Sequence, residues 1–335
     1  MLHTTICDVK FDSLLMNASG CWCTHTDELD DIYASFSGAV VSKSSTVEPR
    51  KGNSLPRFYQ DELGTINSMG VPNFGYKYYL DHSEVIEYKP YIQSIMPFNI
   101  DEMNLMLYDI NRLSKKDDIN RLSKKDDINR LSKKKVPYFV ELNLSCPNII
   151  NKSIVGNDFE SLDIYLDSLN QLNLSNLIVG LKLPPYYEFR TFEQVSNLIQ
   201  KYSNNIGFLT TINSVVNGLL IDIDNQTTRI NPKDGYGGIG GEYCRPTALA
   251  NVNQFYKLLG DRLDIIGCGG VSTGAHVFEH ILCGASAVQI GSQLVKEGPK
   301  CFTRIGEELK KLMRNNNYKE IEEFRGKLQV IDNIQ

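Results

Sequence analysis

The most chemically capable side chain in the sequence stands in Leu142-Asn-Leu-Ser-Cys-Pro-Asn148. There the Cys146 thiol has hydrogen-bonding neighbours, and Pro147 fixes the backbone just beyond it. Such a thiol can act as base or nucleophile once its thiolate is accessible. Free cysteine is more often a small buried hydrophobe, and the local sequence leaves the two readings level. Around it, a set of polar residues follows short apolar runs: Asn17 and Gly20, Lys43 and Ser44, Asn143 with Ser145 and Asn148, Lys182, and Asn213 with Ser214. Neutral amides with two cations, and neither a histidine nor paired acids among them, suit the holding of a planar, polar, anionic ligand. They do not suit glycoside hydrolysis, which needs two carboxyl groups, or a Ser-His-Asp hydrolase.

Glycines supply a second theme. Gly267-Cys-Gly-Gly270 and Gly291-Ser292 each close an apolar run, where bare backbone N–H groups can approach a phosphate. Tight turns would explain the same glycines, but their recurrence in two adjacent units favours phosphate. Gly235-Tyr-Gly-Gly-Ile-Gly240 satisfies G-x-G-x-x-G but follows a polar, proline-broken stretch rather than an apolar strand, so a dinucleotide fingerprint fails on context.

The positioning elements are eight short apolar runs: Leu14–Ser19, Gly38–Ser44, Tyr91–Met96, Tyr138–Ser145, Leu177–Pro184, Gly207–Ser214, Leu263–Gly270 and Ser286–Ser292. Stretches with helical spacing lie between them, such as Phe159-x2-Leu162-x2-Tyr165-Leu166 and Val277-Phe278-x2-Ile281-Leu282. Continuous apolar strands alternating with helices indicate parallel β-structure buried on both faces. Eight such units predict an α/β fold, a (β/α)8 TIM barrel, with the polar set at the C-terminal mouth of the strands. A doubly wound sheet is the alternative, since counting does not show closure.

Three copies of a nonapeptide, D-I-N-R-L-S-K-K plus one residue, fill 109–135. Nine residues advance a helix by about two and a half turns. Ile110 and Ile128 therefore share a face that Ile119 opposes, and no single apolar stripe runs through all three. The block reads as an insertion in the helix after strand three, left in solvent, rather than as a basic docking arm. The rest of the chain, 1–335, reads as one barrel domain.

A net charge of −5 gives no global field for nucleic acid. No apolar run reaches membrane-spanning length, and the first residues show neither a basic start nor an apolar core of a secretory signal. Eight cysteines without a paired C-x2-C pattern argue against a disulfide scaffold and against a metal site. The expectation is a reduced, cytoplasmic protein.

Taken together, Asn143-Leu-Ser-Cys-Pro-Asn148, Ser42-Lys-Ser44, Asn67-Ser-Met-Gly70-x-Pro72-Asn73, Asn213-Ser214 and Gly267-Cys-Gly-Gly270 resemble the dihydroorotate dehydrogenases. The match is to class 1, subclass A, the soluble, homodimeric, fumarate-using branch, and it runs from about Ile6 to Phe324. The resemblance implies FMN at the barrel mouth. Its phosphate falls on Gly241, Gly269, Gly270, Gly291 and Ser292, with Cys268 at the same turn. Lys182 matches the lysine beside the flavin N1–C2=O edge. Ser19, Gly20, Lys43, Ser44, Asn143 and Ile212 match further flavin contacts. Orotate falls on Asn67, Asn143, Asn148, Asn213 and Ser214, with its carboxylate on Lys43 and the backbone of Met69, Gly70 and Val71. Cys146 matches the base that takes the C5 proton of dihydroorotate while hydride leaves C6. Fumarate, reduced to succinate, would share the site.

A cysteine base separates this branch from membrane-bound, quinone-using relatives, which carry serine and an N-terminal extension. Subclass B relatives use an iron–sulfur partner chain, and the overall match favours subclass A. Departures from the family pattern are Met96 and Pro97 where a serine and glycine are usual, Val71 for leucine, Ser19 for alanine and Ser292 for threonine. Two alternatives stay open: another FMN barrel reductase of dihydropyrimidine or dihydrouridine type, and a non-catalytic barrel using the repeat block for binding.

Overall fold

The computed structural model describes residues 1–123, 138–145 and 154–331, with the backbone alone for 114–123 and 203. Eight parallel strands form its centre: β1 (Leu15–Asn17), β2 (Val40–Val41), β3 (Tyr91–Ile95), β4 (Tyr138–Asn143), β5 (Leu177–Leu183), β6 (Ile206–Thr211), β7 (Asp264–Cys268) and β8 (Ala287–Ile290). Each falls on one of the eight predicted runs, seven of them wholly inside it, with β6 starting one residue early at Ile206. Their hydrogen-bonded order is β1-β8-β7-β6-β5-β4-β3-β2, which is sequence order wrapped around with one open seam between β1 and β2. A doubly wound sheet would reverse direction partway, so the barrel reading holds.

The seam is closed by two side chains and one backbone bond. Asn17 donates from Nδ2 to the Val41 carbonyl at 2.7 Å and accepts the Val41 N–H at 2.9 Å on Oδ1, standing in for a backbone ladder. The Gly38 N–H reaches the Leu15 carbonyl at 2.7 Å, and the Ser19 hydroxyl donates to the Ser42 carbonyl at 2.8 Å. Asn17, which the sequence places among the ligand-facing amides, is instead fully buried and committed to the seam.

Helices α1 (Thr26–Ala34), α2 (Tyr76–Ser83), α3 (Ile100–Ser123), α4 (Phe159–Gln171), α5 (Phe189–Lys201), α6 (Arg245–Leu259), α7 (Gly274–Leu282), α8 (Ser292–Glu297) and α9 (Cys301–Asn315) connect the strands and follow β8. Side-chain caps open two of them: the Asp158 side chain accepts the Ser161 N–H ahead of α4, and Thr273 accepts that of His276 in α7. Helix α9 shows the expected one-sided burial, with Phe302, Ile305, Leu309 and Met313 inward. The first nonapeptide belongs to this packing: Ile110 is fully buried, and Asp109 accepts the Tyr76 hydroxyl at 2.7 Å. Most of the remaining repeat block lies outside the described residues.

Two additions cap the ends of the barrel. A hairpin of Thr4–Ile6 and Val9–Phe11 closes the N-terminal end, where Phe11 meets Phe139 edge-on at 5.4 Å and the Cys7 N–H bonds Asp264 at 2.8 Å. At the other end, Val215–Gly218, Gly237–Gly241, Gly64–Asn67 and Phe58–Gln60 form an antiparallel sheet in that order. The G-x-G-x-x-G stretch supplies a strand of this sheet, not a strand-to-helix phosphate turn.

Candidate active site

Alternation along the strands sets what the barrel interior offers at each depth. On β4, Phe139, Glu141 and Asn143 point inward at successive levels, while Val140 and Leu142 face the helices. Phe139 and Phe208 fill the lowest level with Phe11. One step up, the interior turns polar, and the top level opens into a cleft between the strand ends and the antiparallel sheet.

Lys182 sits between these two levels. Its ammonium donates to Gln289 Oε1 at 3.0 Å and lies 3.7 Å from Glu141 Oε1. Burial works against its charge, but the attraction of Glu141, joined by the nearby sulfurs of Cys268, Cys21 and Cys23, outweighs it and raises its pKa. The Glu141 carboxylate is fully buried and also accepts from Gln289 Nε2 at 2.7 Å and from the Thr210 hydroxyl at 2.8 Å.

Lys43 differs in having no such counter-charge. Only 8 % exposed, it lines the cleft, and its ammonium forms no hydrogen bond or ion pair with any described residue. A buried ammonium is costly unless an anion meets it. Beside it the amides are held in fixed orientations. Asn143 donates to the Ser44 hydroxyl at 3.0 Å and accepts from Ser145 N–H and Oγ–H at 3.1 and 3.0 Å. Asn213 donates to Ser145 Oγ at 2.8 Å, and Asn67 donates to the Gly238 carbonyl at 3.2 Å.

At the far end of the cleft, the chain after β7 turns through Gly269 and Gly270 at φ of +131° and +75°, which L side chains rarely adopt. His280 supports this turn by donating from Nε2 to the Gly269 carbonyl at 3.0 Å. Burial pushes its pKa down to about 4, so the ring is neutral. The three thiols among the described lining residues are inert: burial first, then neighbouring groups, lift Cys21 and Cys244 to about 12 and raise Cys268.

The residues fit a large phosphorylated, planar cofactor on two grounds. A Cβ built on Gly20 would meet only the Lys43 ammonium, at 3.8 Å, and one on Gly291 would meet only Ala18 and Cys21, at 3.6 Å. Both glycines therefore keep open space that a side chain would fill. The donor set, two buried ammonium groups with amides and glycine turns, matches an acceptor-rich ligand.

The sequence profile of the dihydroorotate dehydrogenase family matches residues 1–313. The chain is 42% identical over 335 residues to a dihydroorotate dehydrogenase (fumarate) of Kluyveromyces lactis, covering 98% of each chain. It is 41% identical over 336 residues to dihydroorotate dehydrogenase A (fumarate) of Lactococcus lactis subsp. lactis, covering 99% of this chain and all of the relative. The chain belongs to the dihydroorotate dehydrogenase family. Its members are flavin-dependent oxidoreductases. A solved dihydroorotate dehydrogenase of Eimeria tenella, in complex with ferulenol, superposes with a TM-score of 0.74 over all of this chain and 89% of that one; at 17% identity it speaks to fold alone. Among the described residues, no helix is long and apolar enough to cross a membrane.

Of the residues that the resemblance to dihydroorotate dehydrogenases assigns, the structure gathers most around this one cleft. On the strand-one and strand-two side are Ser19, Gly20, Lys43 and Ser44, with Asn67, Met69 and Val71 from the loop beyond. Asn143, Lys182, Ile212, Asn213 and Ser214 form the centre, and Gly241, Cys268, Gly269, Gly270, Gly291 and Ser292 the glycine-rich end. Gly70 is not part of the lining; it joins two residues that are. Cys146 and Asn148 lie outside the described residues. Met96, where the family pattern has a serine, is buried and away from the lining.

Glu141, Gln289 and Cys21 escaped the sequence reading. Glu141 had a visible signal: a charged residue in the middle of Tyr138-Phe-Val-Glu-Leu-Asn143, on an apolar strand, requires an interior partner. Lys182 is its counterpart on the next strand, one inward step further along.

Proposed function

We propose that the protein oxidises dihydroorotate to orotate and reduces fumarate to succinate, with FMN in the cleft. The observation that carries this reading is Lys43, a buried ammonium that no described carboxylate meets, set among amides already oriented by their own bonds. Orotate and fumarate are both carboxylates, and each would give Lys43 its missing anion. Asn67, Asn143, Asn148, Asn213 and Ser214 would then bond the ring or the second carboxylate, with Met69, Gly70 and Val71 backbone nearby. The glycine turns at Gly269–Gly270 and Gly291–Ser292, with Gly241 and Cys268, would hold the FMN phosphate, and Lys182 would lie at the flavin N1–C2=O edge.

Held there, FMN would supply the two-electron carrier that accepts the hydride leaving C6 of dihydroorotate and passes the electron pair on to fumarate. The chain itself handles the proton: the Cys146 thiolate removes it from C5, leaving the C5=C6 bond of orotate. The mirror-image step delivers a proton to fumarate. Both substrates use the same donors in turn, so the kinetics are ping-pong. An ordinary thiol pKa near 8.5 makes activity rise with pH through that value when chemistry limits the rate. A flat profile between pH 6 and 9 would remove Cys146 from the role.

In the same reading the protein is a cytoplasmic homodimer that needs no metal, and sedimentation velocity reads its mass. The deciding experiment for the activity is the anaerobic visible spectrum. Bound flavin should bleach on adding dihydroorotate and recover with fumarate. Flavin that dihydroorotate leaves oxidised points to a different reductase, and bleaching without recovery points to another electron acceptor.

A further inference from the structure

Beneath the cleft the polar side chains join into a single path. From Lys182 it descends to Gln289 and Glu141, passes from Glu141 Oε1 to the Ser94 hydroxyl at 3.5 Å, and rises from Ser94 to Ser44 at 2.8 Å. Ser44 then meets Ser19 at 3.0 Å and Asn143 at 3.0 Å, both back at the cleft. Strands β1 to β6 and β8 all contribute, directly or through the residues that follow them. The path begins and ends on cleft-lining residues, yet its centre, Glu141 with Gln289, Thr210 and Ser94, lines nothing and is 1 % exposed or less.

We propose that Glu141 is a positioning residue that sets how strongly the bound flavin favours its reduced form, by anchoring the Lys182 ammonium beneath the cleft. The inference rests on the flavin lying against Lys182, as proposed above. Glu141 touches no ligand. It lies below Lys182, so the pair presents a dipole with its positive end toward the cleft, in an interior where charges act strongly. The reduced flavin carries its extra negative charge at the edge nearest that end, and its binding strengthens relative to the oxidised form. Take Glu141 away, and the penalty for burying Lys182 is unopposed, so the ammonium gives up its proton or leaves its place; losing that positive end, the nearer to the cleft, outweighs losing the Glu141 charge below it. Among the groups facing the ammonium, the other contributors are the Cys268, Cys21 and Cys23 thiols, which burial holds protonated. Nothing else described can replace Glu141 as a counter-charge.

The test is the midpoint potential of the FMN-loaded protein, with thermal stability measured alongside. Glu141→Gln keeps the shape and loses the charge; the preference for reduced over oxidised FMN should fall about tenfold, equivalent to about 30 mV for a two-electron couple. Glu141→Asp should restore most of it. Should the glutamine variant fail to fold, Gln289→Met breaks the link between the same two charges and should lower the potential in the same direction. A folded, flavin-loaded Glu141→Gln protein with the wild-type potential overturns the proposal, as does an unshifted Gln289→Met, and leaves Glu141 a purely structural residue. Lys182→Met separates this failure from that of the underlying reading. If that variant too keeps the wild-type potential, the flavin does not lie against Lys182; if it shifts while the Glu141 variant does not, the error is in the role given to Glu141.

Discussion

Two levels of one barrel, a single inward step apart on the same strands, obey opposite rules. The lower level holds Phe11, Phe139 and Phe208 in edge-on and tilted contact, with Gly180 leaving the space that the Phe208 ring occupies. The upper level holds Glu141, Lys182, Thr210, Gln289 and Ser94, all buried and all hydrogen-bonded. Non-directional burial stabilises the first, and it tolerates any arrangement that fills the volume. The second is stable only as a complete network, since each broken link leaves a charge or dipole stranded. Stability and chemistry are thus divided by depth rather than by element, and each strand serves both.

That division can be broken from either side. Phe208→Ala should cost about 3–5 kcal/mol of stability, read by urea unfolding, while the turnover of molecules that stay folded changes little. Lys43→Met should do the reverse: about 3 kcal/mol, or some hundredfold, lost from kcat/KM for dihydroorotate, with the unfolding midpoint held or raised because a buried unpaired charge is gone. Acid probes the support of the glycine turn. His280 has a folded pKa of about 4, below the ordinary value near 6.5. The unfolded chain takes up the proton first, so His280 leaves stability unchanged above that ordinary value. As pH falls from about 6.5 to 4 it removes about 3 kcal/mol, and below that the loss levels off. Unfolding midpoints at pH 7, 5.5 and 4.5 should show the decline, and His280→Gln should flatten it. The smallest effect belongs to Ser94→Ala, one link of the polar path, at about 1 kcal/mol. A loss as large as that of Phe208→Ala would mean the two levels are not separable.

The eight strands were legible because a parallel strand buried on both faces is an uninterrupted apolar, β-branched run, as in Ile265-Ile266 or Val40-Val41. The cleft residues were legible because they follow those runs directly. The antiparallel sheet over the mouth was not, since Gly237–Gly241 has almost no side chains to carry a period-two pattern. The N-terminal hairpin escaped for a related reason: three-residue strands are too short to alternate visibly. Asn17 shows a subtler limit. Its position at a strand end is that of a ligand-binding amide, and only the missing ladder between β1 and β2 tells the two uses apart. Glu141 was in plain view but was read through the apolar character of its strand.

The wrapped strand order also bears on how the chain is made. Apart from one pairing, every barrel strand bonds to a neighbour in sequence, so most of the barrel sheet can assemble while synthesis proceeds. The exception is β1, whose ladder partner is β8, with Leu15 opposite Val288. Until the ribosome has released that final strand, β1 has only the seam bonds made by Asn17, Leu15 and Ser19 and an exposed edge. The N-terminal hairpin is left waiting as well, because Cys7 and Thr4 bond Asp264 and the Ser286 carbonyl. A nascent chain stalled before β7 would expose both an unpaired edge and the aromatic floor, the two features most prone to self-association.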